Sequence, residues 1–203
     1  MSIVVEHEKR RKEILEKALD VFMDEGFEDA TFQKIADRCG ITRTTLYIYF
    51  KDKKEIFNYS IKLLLGKVEE DIQRVRSDTG LDSVGKITKV LLDILQRLEE
   101  NRRLLSVILD YLLHLSTGNP ETRIRRRTLR LRHILASLVI EGVKAGELSR
   151  INIKTADDYL YSFIEAAIFQ LIVLKLETVG NFREAVIFAV RQFARKDEVR
   201  TCC

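Results

Sequence analysis

The chain has 203 residues, 46% of them hydrophobic and 33% charged, enough to bury a core and remain water-compatible. One proline and nine glycines are too few for a turn-rich β fold, and no window holds 18 uninterrupted apolar residues, so no membrane span is expected. Three cysteines, an odd number, argue against a secreted disulfide framework, and a net charge of +4 directs attention to where the excess bases sit.

The opening stretch MSIVVEHEKRRKE has an apolar run too short for a secretory signal and passes straight into a charged helix, so a cytoplasmic protein is expected. From Glu8 to Glu25, residues Ile14, Leu15, Ala18, Leu19, Phe22 and Met23 recur at helical spacing. Gly26 ends that helix, with Phe27 behind it. Lys9, Arg10 and Arg11 have two readings, phosphate contacts or a solvated face balanced by Glu6, Glu8 and Glu13.

Thr31 to Lys54 reads TFQKIADRCGITRTTLYIYFKDKK, a short helix, a tight turn and a second short helix. Ile35 and Ala36 form the apolar ridge of the first. Gly40 supplies the positive φ that the turn needs, and Thr42 is placed to cap the second helix. Leu46 and Phe50, four apart, face inward, which leaves Thr42, Arg43, Thr44, Thr45, Tyr47 and Tyr49 on the other sides. Thr31 is placed to cap the first helix. The stretch carries six bases, Lys34, Arg38, Arg43, Lys51, Lys53 and Lys54, against Asp37 and Asp52, so the basic excess lies where a phosphate backbone would be gripped. Cys39 is expected to be half-buried as a small hydrophobe.

The pattern T-x-x-x-I-A-x-x-x-G-I-T-x-x-T-L-Y-x-Y-F-K-x-K resembles the TetR family of transcriptional regulators, over Glu8 to about Phe57. Its most specific part is Leu46-Tyr47-x-Tyr49-Phe50 followed by Lys51 and Lys54. Thr44 departs from the family pattern, which often has glycine or another small residue there. The resemblance implies an all-α chain, an N-terminal three-helix bundle with a helix-turn-helix followed by a larger C-terminal helical domain for ligand binding and dimerisation. The boundaries expected are 1–52 for DNA binding and 53–203 for effector binding and dimerisation.

A fourth helix is expected from Lys53 to about Arg76, with Ile56, Phe57, Ile61, Leu64, Leu65, Val68 and Ile72 as its stripe. Free N–H groups and two ammonium groups at its start would favour a phosphate. In the resembled family this helix couples effector binding to DNA release. After the loop Ser77–Gly80 come helices over Ser83–Glu100 and Arg102–Ser116, the latter apolar on nearly every side and so expected to be central. Asn119 and Pro120 start the next helix, to about Ala145. It carries Arg123, Arg125, Arg126, Arg127, Arg130 and Arg132 without an intervening acid. A salt-bridging face, with Glu99 and Glu100 as partners, and a site for a phosphorylated or CoA-linked effector both stay open. Thr155–Glu177 is apolar over more than one face, and Phe182–Lys196 follows it. A helix apolar nearly all round must be buried on two sides. These two helices from each subunit would make an isologous four-helix interface through Leu160, Ile164, Ala167, Ile168, Leu171, Val186, Val190 and Phe193, and the resembled family dimerises in this way.

No catalytic constellation is present. His7, His114 and His133 lack metal-ligand spacing, adjacent Cys202 and Cys203 do not form a ligand pair, and there is no G-x-S-x-G or glycine-rich phosphate loop. Glu165 interrupts an apolar run and, if buried, needs a partner. The expectation is therefore a regulator and not an enzyme, without cofactor or metal. Its partners would be double-stranded DNA, a small-molecule effector and a second copy of itself. Arg43 would contact a base edge, Thr44 and Thr45 bases or a thymine methyl, and Thr31, Tyr47, Tyr49, Lys51 and Lys54 phosphates. The effector cavity would be lined by Leu64, Leu91, Leu95, Ile108, Tyr111, Leu112, Phe163 and Phe169. The rival class is a helical scaffold protein whose hairpin meets another protein.

Overall fold

The computed structural model describes the backbone of residues 2–115 and 120–195, and their side chains except those of residues 2–4, 64, 114, 115 and 120–128. Expectations about Leu64, His114, Asn119, Arg123 to Arg127, Cys202 and Cys203 lie outside the described residues. The order is α1 (Ser2–Asp29), α2 (Phe32–Cys39), α3 (Arg43–Tyr49), α4 (Lys53–Ser77), α5 (Ser83–Glu100), α6 (Arg102–Asp110), α7 (Pro120–Ala145), α8 (Ile153–Ile168) and α9 (Phe182–Arg191). Single π-helical turns extend α6 over Tyr111–Leu115 and α8 over Phe169–Val173. Among the described residues there is no strand, only an isolated antiparallel bridge between Leu148 and Ala194. None of the described helices is long and apolar enough to cross a membrane.

The chain packs as two compact units, Met1–Glu70 with Arg103–Ser116, and Asp71–Arg102 with Thr117–Cys203. In the first, α1 kinks at Gly26, whose φ of 79° and ψ of 173° break the helical path and turn Phe27 inward. Phe27 meets Phe57 of α4 at 5.1 Å between ring centres and Tyr111 at 4.5 Å, while Phe22 meets Phe57 edge-on at 4.8 Å. Such tilted and edge-to-face pairs are favoured by the ring quadrupole. The fully buried Ser60 hydroxyl donates to the carbonyl of Leu15 at 2.9 Å, so its burial leaves no unmet donor. The stretch from Arg102 is less central than its composition suggests: Leu104, Tyr111 and Leu112 are buried, but Leu113 is 53% exposed.

The second unit is a layered bundle of α5, α7, α8 and α9. Ile87, Val90, Leu91 and Leu95 of α5 face Leu135 and Val139 of α7, Leu160 and Ile164 of α8, and Val186 and Val190 of α9, all buried. Asp82 caps α5 by accepting from the Gly85 N–H at 2.7 Å, and Asn152 caps α8 by accepting from the Thr155 N–H at 3.1 Å. Where α7 ends, Gly142 approaches so closely that a Cβ there would lie 2.5 Å from Leu148 Cδ1 and 2.6 Å from Ser83 Cβ. The Glu147 carboxylate accepts from both the N–H and the hydroxyl of Ser83, at 2.7 and 2.6 Å, tying this turn to the start of α5. Two expected helix ends move inward. The long apolar helix stops at Val173, and Lys175 has a φ of 54°; the last helix ends at Arg191, not Lys196.

Candidate nucleic-acid interface

The hairpin forms for the reasons its sequence gives. Thr31 Oγ1 accepts from the Lys34 N–H at 3.2 Å and starts α2. Gly40, at φ 67°, closes it in a Schellman arrangement: its N–H bonds the Asp37 carbonyl and the Ile41 N–H bonds the Ala36 carbonyl. Thr42 Oγ1 accepts from the Thr45 N–H at 3.0 Å and shares a hydrogen bond with the Thr45 hydroxyl at 2.8 Å, which starts α3. Phe32, Ile35, Ala36 and Cys39 bury one face of α2, and Leu46 and Phe50 anchor α3. Cys39 is more deeply buried than expected, at 4% exposure, and burial pushes its thiol above the usual range.

The outer side of α3 is left to water. Arg43, Thr44, Tyr47 and Ile48 are exposed, and Thr45 and Tyr49 half-buried. Arg43 and Tyr47, one turn apart, form a ridge: the guanidinium donates to the phenol oxygen at 3.1 Å and its carbon lies 5.7 Å from the ring centre. Tyr47 is stacked on Phe32 of α2 at 4.6 Å, so both hold a defined position while staying accessible. Tyr49 on the other flank stacks on His7 of α1 at 4.6 Å, a partner not evident from the sequence. Arg11 sits over the Tyr59 and Phe50 rings at 4.3 and 5.2 Å, and Arg10 pairs with Glu13 at 2.9 Å, so the open question over these two arginines resolves towards structure.

The charge excess is redistributed by the fold. Lys34 is paired with Glu25 at 2.6 Å and Arg38 with Asp24 at 2.9 Å, both joining α2 to α1. Lys53 corrects the expectation of an anion site at the start of α4. Its ammonium donates to the carbonyls of Phe27 and Glu28 at 2.8 and 2.7 Å and lies 4.7 Å from the Phe27 ring centre, satisfying carbonyls at the end of α1. One first-turn N–H is also capped: Asp52 accepts from the Glu55 N–H at 2.7 Å, and the Glu55 carboxylate reaches back to accept from the Lys51 N–H at 2.8 Å. Of the six bases in the stretch, Arg43, Lys51 and Lys54 remain with exposed side chains and no acidic partner among the described residues.

The other candidate residues fall within one unit or the other. Tyr111 and Leu112 are buried in the first, where Tyr111 belongs to the aromatic cluster with Phe27 and Phe57, and Ile108 is half-buried. In the second, Leu91 and Leu95 are fully buried, Phe163 is half-buried beside Tyr159 and Phe182, and Phe169 is 52% exposed. A shallow groove over α5 and α9, bordered by Thr88, Lys89, Leu92 and Ile187, involves none of them. The interface set needs correction too. Leu160, Ile164, Ala167, Leu171, Val186, Val190 and Phe193 are buried within the chain itself and Ile168 is half-buried. The same helices instead expose Tyr159, Phe169, Val173 and Phe188, the last at 70%. Glu165 is exposed and has no burial to compensate. Glu99 is engaged by Arg183 and by the Val179 N–H, and Arg132 by Asp157 and Asp158. Among the described residues no cluster of three His, Cys, Asp or Glu is arranged to hold a metal.

Residues 14–59 match the family model described as bacterial regulatory proteins, tetR family. The HTH-type transcriptional regulator PksA of Bacillus subtilis is 31% identical over 103 residues, 51% of this chain and 50% of PksA, so the chain spans about half the length of that relative. The fatty acid metabolism regulator protein of Bacillus subtilis is 25% identical over 166 residues, 79% of this chain and 84% of that protein. Among solved structures, the transcriptional regulator FadR from Bacillus subtilis in complex with stearoyl-CoA aligns with a TM-score of 0.71 at 20% identity, over 88% of this chain and 96% of that one, a likeness of fold alone. Residues 14–59 thus carry a tetR-family helix-turn-helix, and the chain is similar in sequence to the transcriptional regulators above and in fold to FadR.

Proposed function

We propose that the protein is a ligand-responsive repressor that binds a palindromic operator as a homodimer and leaves it when a small-molecule effector binds. The observation that carries this reading is the outer side of α3, where Arg43 is held by Tyr47 and Tyr47 by Phe32, with both Arg43 and Tyr47 exposed to solvent. A guanidinium fixed in this way suits bidentate contact with the O6 and N7 acceptors of a guanine in the major groove, worth about 1–3 kcal/mol of discrimination. Thr44 and Thr45 would border the same bases. Thr31, Thr42, Tyr47, Tyr49, Lys51 and Lys54 would hold phosphates, which fix register and carry no sequence information.

Residues 1–52 would supply DNA binding and 53–203 effector binding and dimerisation. The dimer would use the exposed Tyr159, Phe169, Val173 and Phe188, since a chain rarely leaves so many large apolar side chains to water on neighbouring helices. Twofold symmetry then requires an inverted-repeat operator, with half-sites separated by about one helical turn, roughly 34 Å, or a multiple of it. An effector acts by preferring the dimer conformation in which the two hairpins no longer match that spacing. Long-chain acyl-CoA thioesters are the first class to try, because the FadR relative of similar fold was solved with stearoyl-CoA.

The experiment is selection of bound duplexes from random DNA, followed by titration of acyl-CoA thioesters and free CoA onto the selected complex. An inverted repeat released by one of these ligands supports the proposal. Binding that stays weak and indifferent to sequence at low salt contradicts it and favours a hairpin that meets a protein.

A further inference from the structure

We propose that Ile48 reads a thymine methyl group in the major groove and so sets the base preferred at one position of each half-site. This rests on the DNA-binding function proposed above and deepens it. Four large apolar residues of the hairpin, Phe32, Ile35, Leu46 and Phe50, are exposed by 9% or less, Ile41 is half-buried, and the exposed Tyr47 is stacked on Phe32. Ile48 is 70% exposed, on the outer side of α3 near its C-terminal end. It contributes little buried area to its own fold. As a β-branched residue it also suits a seven-residue helix less well than alanine would.

Its surroundings decide what would cover it. Thr44 lies one turn before it, the Arg43–Tyr47 ridge runs alongside, and Lys51 follows three residues later. A single exposed aliphatic side chain beside Thr44 and Tyr47, on a hairpin whose exposed bases include Arg43, Lys51 and Lys54, is a poor match for an apolar protein surface, which would ask for neighbouring apolar contacts. It is a good match for a groove with polyanionic walls, whose floor has one apolar feature, the C5 methyl of thymine. Arg43 and Ile48 are five positions apart on a helix rising about 1.5 Å per residue, so they reach base pairs at different points along the groove.

The test starts from duplexes selected from random DNA by the full-length protein. Each thymine of the half-site is replaced in turn by deoxyuridine, which removes the methyl group and leaves every hydrogen-bonding group unchanged. At one thymine the wild-type affinity is expected to fall about three- to fivefold per half-site, the transfer equivalent of one methyl group. Ile48→Ala, with wild-type melting behaviour, should bind the thymine and deoxyuridine duplexes equally. A flat deoxyuridine scan with the wild type, or a methyl dependence that survives in Ile48→Ala, overturns the inference while leaving the operator intact. If selection yields no preferred sequence, the DNA-binding function fails and the inference fails with it.

Discussion

Lys53 and Lys54 stand side by side at the start of α4 with the same charge, and the structure gives them opposite duties. The Lys53 ammonium is bonded to the carbonyls of Phe27 and Glu28 at 2.8 and 2.7 Å and lies over the Phe27 ring, whereas the Lys54 side chain is exposed. Lys53→Met keeps most of the aliphatic stem and removes the two charged hydrogen bonds. Each is worth roughly 1.5–3 kcal/mol in a dry site. Lys53 is only half-buried, so solvent replaces part of this and the net loss is about 1.5 kcal/mol. With a urea m-value of about 2 kcal/mol per molar, the unfolding midpoint should fall by about 0.7 M. Lys54→Met should stay within about 0.5 kcal/mol of the wild type. DNA titrations over a salt series complete the comparison. Lys54→Met should weaken all sequences alike and reduce the slope of log K against log salt by about 0.9 per subunit, and Lys53→Met should leave that slope unchanged. Equal stability of the two variants with equal loss of slope would refute the assignment and restore both lysines to the phosphate backbone.

Gly142→Ala should destabilise the protein by about 1–2 kcal/mol in urea unfolding, because a Cβ 2.5 Å from Leu148 and 2.6 Å from Ser83 outweighs the gain in helix propensity. The two Ser83 hydrogen bonds hold the Glu147 carboxyl below its ordinary value of 4.5. Its folded pKa is therefore lower than its unfolded one, so the stability it contributes is full above the ordinary value and lost as pH falls through the folded value. Acid titration of unfolding should accordingly be shallower below pH 4.5 in Glu147→Gln than in the wild type; identical profiles would dissociate Glu147 from the clamp. Phe188→Glu should leave melting nearly unchanged and shift sedimentation equilibrium from dimer to monomer, whereas Val186→Glu, which places a charge at a fully buried position, should abolish cooperative melting.

The local signals of the hairpin were legible because each depends on residues within four positions. Thr31 and Thr42 cap, Gly40 takes a positive φ, and Leu46 and Phe50 pack inward. The partners of the charges depend on contacts distant in sequence, and there the residue pattern misled. Lys53 meets carbonyls 25 and 26 positions away, and Glu99 meets Arg183 across 84. The apolar abundance of Thr155–Glu177 predicts burial on two sides, but α8 buries one stripe, with Ala156, Leu160, Ile164 and Ala167, and leaves Tyr159, Glu165 and Phe169 exposed on the other. Most of the residues named for the interface, Leu160 and Ile164 among them, turned out to face α5, α7 and α9 of the same chain. Helical periodicity identifies a buried stripe but not its partner. The π-turn at Phe169–Val173 shifts the register further and brings Phe169 and Val173 outward. Nothing in the residue pattern singles out Ile48; its 70% exposure does.

The account stands on α3 reading base edges, and Arg43→Ala on the selected operator tests that most directly. With each base pair of the half-site varied in turn, the variant is expected to lose its discrimination at one guanine by about 5- to 150-fold, the equivalent of 1–3 kcal/mol, while retaining its preferences elsewhere. A variant that binds the same operator with the same preference at every position would contradict the placement of this helix in the groove.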